Sequence, residues 1–150
     1  MTLLRLSLPR FPRLSAQDLG FVTQILLWQL AFRALKHVVP LATLVRLARI
    51  GPRRSSRDCP REFRFAQLLD RVNSLLPLRF ECLERSLLLY RFLSGVNAKP
   101  RLVVGVDRAA DHVQGHVWVV VDGYPVGESE AWVAKFHTAA VFGENGLVLP

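Results

Sequence analysis

The hydrophobic period of this chain changes once, at Pro100, and that change restricts the fold more than any other feature. Before it, apolar residues recur at three- and four-residue intervals, the spacing of helices; after it they form short β-branched runs, the spacing of strands. Helices first and strands second predict an α+β domain with the helices packed on a small antiparallel sheet.

The helical half reads in pieces. Residues 1–15 are an extended arm, because Pro9 and Pro12 forbid a helix. Ser15 or Asp18 caps a helix over residues 19–36. Pro40 ends or kinks it, a short helix follows over 41–50, and Gly51-Pro52 stops that one. Residues 53–60 read as a polar, basic loop containing Cys59. Over 63–76, Phe65, Leu69, Val72 and Leu76 share a helical face, and Pro77 breaks the run. Residues 81–93 are apolar nearly all round, which marks a buried helix, and Gly95 suits its end. Beyond Pro100, Arg101–Asp107 is one strand, 108–114 a polar loop and 116–121 a second strand. Asp122-Gly123 is a hairpin turn and 124–127 starts the return strand, while the tail from Ser129 is ambiguous.

Charge divides the chain. Residues 1–64 hold twelve Lys and Arg against three Asp and Glu, a net of +9, while residues 65–150 carry a net of −1. We therefore read residues 1–60 as a basic helical region and 61–150 as the core that carries chemistry. A basic front suits an anionic partner, but no aromatic-basic interleaving points to nucleic acid. Two cysteines are too few for a disulfide scaffold or a Cys-rich zinc site, and His112 and His137 lack metal-ligand spacing. No secretory signal is evident, and the apolar run over 19–32 is too short to span a bilayer. A cytoplasmic protein with reduced thiols is expected, with peripheral contact at the inner membrane face through the basic helices.

Cys82 and His116 are the residues with chemical promise. By itself a cysteine in a buried helix is a small core residue, and a histidine in a Val-rich strand is structural. Here Cys82 opens the buried helix, where the dipole favours thiolate and its own N–H is a free first-turn donor for an oxyanion; Arg85 lies on a neighbouring face. His116 opens a strand beside Gly115, so the pair is the minimum for thiol hydrolysis. A third group should orient the imidazole. Asp122 lies six residues along the strand, roughly 20 Å away, and belongs to the turn. With a two-residue hairpin loop, 116 faces 129; with a three-residue loop closing on a glycine bulge, Glu128 is diagonal to His116 and Glu130 opposite it. Both glutamates stay open on spacing. Trp118 reads as core and Cys59 as incidental.

The run CLERSLLLYRFLSGVNAKPRLVVGV at 82–106, followed by GHVWVVVDGYPV at 115–126, resembles the lasso-peptide leader peptidases, a branch of the transglutaminase-like superfamily. That family shows Cys-Leu-x-x-Ser/Ala-Leu-x-Leu on a helix, then Leu-x-x-Gly-Val, then His-x-Trp-Val before an Asp-Gly or Asn-Gly turn; the likeness covers roughly residues 63–130. It implies a papain-like thiol hydrolase core and a cysteine endopeptidase that removes the leader from a ribosomal lasso-peptide precursor through a thioester. Cys82 and His116 match the nucleophile and base, and the family's Asp falls on Glu128, a departure in residue type. No metal, nucleotide or other cofactor is implied. The implied partners are the precursor peptide, a separate leader-recognition protein and the ATP-dependent macrolactam-forming cyclase. The contrasting reading is a catalytically inactive transglutaminase-like scaffold in peptide maturation, which the Glu at 128 would favour.

Overall fold

The structure is a computed structural model that describes residues 15–51, 56–76, 79–107 and 113–150. Four helices precede the sheet: α1 (Ala16–Leu35), α2 (Leu41–Ala48), α3 (Cys59–Leu75) and α4 (Cys82–Gly95). Then come β1 (Arg101–Asp107), β2 (Gln114–Val121), β3 (Tyr124–Pro125), a short α5 (Glu130–Val133) and β4 (His137–Phe142). The four strands form one antiparallel sheet in the order β3-β2-β1-β4. The expected α+β architecture is what the chain adopts. The arm expected over 1–15, apart from Ser15, lies outside the described residues, as do His112 and most of the 108–114 loop.

Local chemistry explains the helix ends. Ser15 and Asp18 act together rather than as alternatives: Ser15 caps α1, Asp18 returns the hydrogen bond, and the capping box starts the helix three residues before the expected position. α3 begins at Cys59, so that residue is not in a loop as expected. Asp58 accepts from the Arg61 amide and Pro60 suits the first turn, which starts the helix four residues upstream of the expected residue 63. Gly95 is the last residue of α4, and its need is steric: a Cβ there would lie 2.9 Å from Ile50 Cδ1.

Strand alternation divides the core. Leu102, Val117, Val119, Val121 and Phe142 face the helices and join α1–α4 in one cluster. Val103, Trp118 and Phe136 form a smaller cluster on the other face. α4 is the buried central helix, as its all-round apolarity predicted: Leu87, Tyr90 and Leu93 are essentially inaccessible. Ser86 Oγ donates to Val117 O at 2.7 Å and Tyr90 Oη to Gly143 O at 2.6 Å, tying the helix to the sheet. The tail that was ambiguous in sequence supplies α5 and β4, and β4 pairs with β1 rather than extending the β2–β3 hairpin.

Candidate active site

Cys82 is the first residue of α4 and half-buried. Glu81 and Glu84 form a capping box that occupies their own two amides. The amides of Cys82 and Leu83 remain the open donors of the first turn. An ion-pair network, buried at Lys36 and Glu84 and exposed at Glu81, anchors this helix end. Lys36 Nζ, at the end of α1, lies 2.9 Å from Glu84 Oε1 and 2.8 Å from Glu81 Oε2, and Gln29 Nε2 donates to Glu84 Oε2 at 3.0 Å. Burial pulls the Lys36 ammonium down, but its hydrogen bonds to both glutamates outweigh that and leave its pKa raised. The hydrogen bond from Lys36 holds the Glu81 carboxyl below its ordinary value. Glu84 is fully buried, so the helix end cannot shift without exposing or unpairing a charge.

His116 comes from β2, by alternation on the face turned away from α4. Its ring stacks on Phe136 at 4.9 Å and on Trp118 at 5.9 Å, and meets Trp132 edge-on at 6.2 Å. Gly105 is its register partner on β1; a Cβ there would fall 2.7 Å from the Trp118 ring and 2.8 Å from Phe136 Cβ. That glycine is the space in which the aromatic support of the imidazole sits.

Cysteine and histidine therefore border the same depression at the open edge of the sheet and do not face each other across its helix-packed face. β3 makes this edge available. It pairs only Tyr124 and Pro125 with β2, and the turn is the two-residue form, Val121 opposite Tyr124. The three-residue loop that would place Glu128 by register is not present. Instead Gly127, at φ 72°, turns the chain out of the ladder. The following Glu128 is no strand residue, and its Oε2 accepts from His116 Nε2–H at 2.6 Å. Both side chains are only 13–14% exposed. With Nε2 committed to the carboxylate, the lone pair of the neutral ring is at Nδ1. Glu130 is exposed in the first turn of α5, and Asp122 stays in the turn, paired with Arg57.

Arg85 serves the carboxylate. Its Nη2 donates to Gly127 O at 3.1 Å and Asp70 Oδ1 at 3.0 Å, and its Nη1 lies 3.4 Å from Glu128 Oε1. It therefore holds the 127–128 turn in place. Cys82, Arg85, His116, Gly127, Glu128, Ser129 and Trp132 line one shallow, open depression. Trp132 and Phe136 escaped sequence reasoning; their i, i+4 spacing in the tail was the available signal. Among the described residues, no three His, Cys, Asp or Glu side chains group so as to hold a metal ion. No described helix is long and apolar enough to cross a membrane.

The family model described as the transglutaminase-like superfamily matches residues 26–141. No curated protein and no solved structure matches the chain. The match runs from the middle of α1 to the end of β4 and takes in every element that builds the depression, so the protein belongs to the transglutaminase-like superfamily.

Proposed function

We propose that the protein is a cysteine endopeptidase in which Cys82 is the nucleophile, His116 the base and Glu128 the group that orients it, and that its substrate is a ribosomal lasso-peptide precursor carrying a leader. The observation that carries the reading is the His116–Glu128 contact of 2.6 Å in the same open depression as a cysteine at the first turn of a buried helix. In this scheme His116 Nδ1 takes the thiol proton and the thiolate attacks the scissile carbonyl. The Cys82 amide receives the developing oxyanion, and the imidazolium returns the proton to the leaving amine. Water then hydrolyses the thioester with the same histidine as base. No cofactor takes part. The choice of substrate rests on the likeness of 82–106 and 115–126 to leader peptidases. A leader-recognition protein would deliver the substrate and the macrolactam-forming cyclase would take the product. The exposed leucines of α1 (Leu19, Leu26, Leu27 and Leu30), next to the basic front of the chain, support docking through the N-terminal helices.

The test is mass spectrometry of a precursor peptide incubated with the leader-recognition protein and either wild-type protein or Cys82→Ala. Cleavage at one bond by wild type alone is expected, with Glu128→Ala slowing it by at least about a hundredfold and Glu130→Ala leaving it within about twofold. Equal cleavage by wild type and Cys82→Ala, or none by either, would overturn the reading in favour of a non-catalytic scaffold.

A further inference from the structure

A groove lies beside the Cys82 depression, between α3 and the β2–β3 hairpin, and Gly127 borders both. Its volume is about 480 Å³, within the range of ligand sites. Two aromatic side chains on its walls stand largely in solvent: Phe63 of α3 is 67% exposed and Tyr124 of β3 65%. The exposed residue Cys59 also lines it.

The charge here opposes that of the chain. Arg57 is shared by Glu62 and Asp122, and Arg85 by Asp70 and Glu128. Among the described residues, groove and depression together set these four carboxylates against two guanidinium groups, a net of −2 on a chain of +8. The Asp70 and Asp122 side chains are more than half exposed, so their charge is open to a ligand. The depression alone offers a peptide little to hold, because Trp132 is the single large apolar side chain among the described residues that line it. The adjoining groove supplies what is missing, exposed aromatic surface beside unbalanced negative charge. We propose that the substrate peptide continues past Gly127 into this groove, with an aromatic or large apolar side chain against Phe63 and Tyr124 and a neighbouring Arg or Lys toward Asp122. That the occupant is substrate rests on the peptidase reading of Cys82; the affinity of the groove for such a peptide does not.

Cys59 reports occupancy without any cleavage. Its iodoacetamide labelling is measured by mass mapping in the full-length Cys82→Ala protein, with blocked pentapeptides Ala-Arg-Phe-Arg-Ala, Ala-Glu-Phe-Glu-Ala and Ala-Arg-Ser-Arg-Ala. At saturation the first should slow labelling at least about tenfold, while the second lacks the charge match and the third the apolar anchor. At the same concentration those two should leave the rate within about twofold of the peptide-free rate. Replacing the two exposed aromatics together, Phe63→Ser with Tyr124→Ser, should weaken the first peptide about tenfold or more. In the otherwise wild-type chain the same pair should raise KM for the precursor by a similar factor and leave kcat within about twofold. Equal protection by all three peptides, no protection by the first, or an unchanged KM in the double variant would each overturn the proposal. Protection by the first peptide alone, with no precursor cleaved by wild type, would uphold the groove as a peptide site and overturn the peptidase reading instead. The comparison of the three peptides needs neither aromatic replaced.

Discussion

Gly127 and Gly123 both hold positive φ, at 72° and 90°, but they differ in what a methyl group would meet. At Gly123 nothing lies within 4 Å of an added Cβ, whereas at Gly127 the Cβ would fall 2.5 Å from Arg85 Nη2. Alanine at either position incurs the left-handed backbone penalty of an L-residue, roughly 1–2 kcal/mol. Gly127→Ala must in addition displace the guanidinium from Gly127 O and Glu128. Those contacts, at 3.1 and 3.4 Å, are long and partly exposed, so their loss adds only about 1–2 kcal/mol. The total for Gly127→Ala is then about 2–4 kcal/mol, a fall in Tm of roughly 5–15 °C at ~2–4 °C per kcal/mol for a chain of this size. Gly123→Ala should lose about half as much. Denaturant unfolding of both variants, in wild-type and Arg85→Ala backgrounds, measures the difference. In the Arg85→Ala background Gly127→Ala should cost only the backbone part, so the cycle yields a coupling of about 1–2 kcal/mol. Peptide cleavage should fall in Gly127→Ala and persist in Gly123→Ala, because only the former moves the Glu128 turn. The same destabilisation for both glycines, or an unchanged Gly127→Ala cost without Arg85, would refute the claim that Arg85 holds the turn.

Three further outcomes follow from the same geometry. Both cysteines begin a helix, so helix position alone does not distinguish them; His116→Phe should slow iodoacetamide labelling of Cys82 and leave that of Cys59 unchanged, as peptide mass mapping would show. Asp18, hydrogen-bonded by Arg64 and by the Ser15 amide, has its carboxyl held well below the ordinary 3.8. Its stabilising contribution is complete above that value and is lost as pH falls through the lower folded-state value, so Asp18→Asn should flatten the acid limb of stability against pH below about pH 4 and leave the neutral slope alone. Gly105→Ala should destabilise by about 1–3 kcal/mol and alter near-ultraviolet circular dichroism, since its Cβ would strike Trp118 and Phe136; an unperturbed aromatic spectrum would show that those rings have room the structure does not give them.

Some of the site was readable because the signals are local. A period change at Pro100, a helix apolar nearly all round and an Asp-Gly turn each act within a few residues, and each corresponds to an observed element: β1 beginning at Arg101, a buried α4 with Cys82 at its first turn, and the β2–β3 hairpin. Cys59 marks where local reading failed through weight and not distance, since the Asp58 cap and Pro60 outweighed a polar composition that looked like a loop.

What the sequence determined by itself was thus the class of the fold, the helix that carries the thiol, the strand that carries the imidazole and two candidate acids. It could not choose between those acids. Loop length alone would have put Ser129 across from His116, and Glu128 arrives there because Gly127 leaves the ladder and Arg85, forty-two residues earlier, receives the turn. Tertiary structure also decided that His116 shares a face with Trp118 and Phe136 and borders the same depression as Cys82, and that Lys36 of the α1 end pins α4 through buried Glu84. These contacts join residues far apart along the chain, where neither period nor propensity carries information; they form only because packing α4 under the sheet brings its first turn, the end of α1 and the truncated hairpin to the same edge.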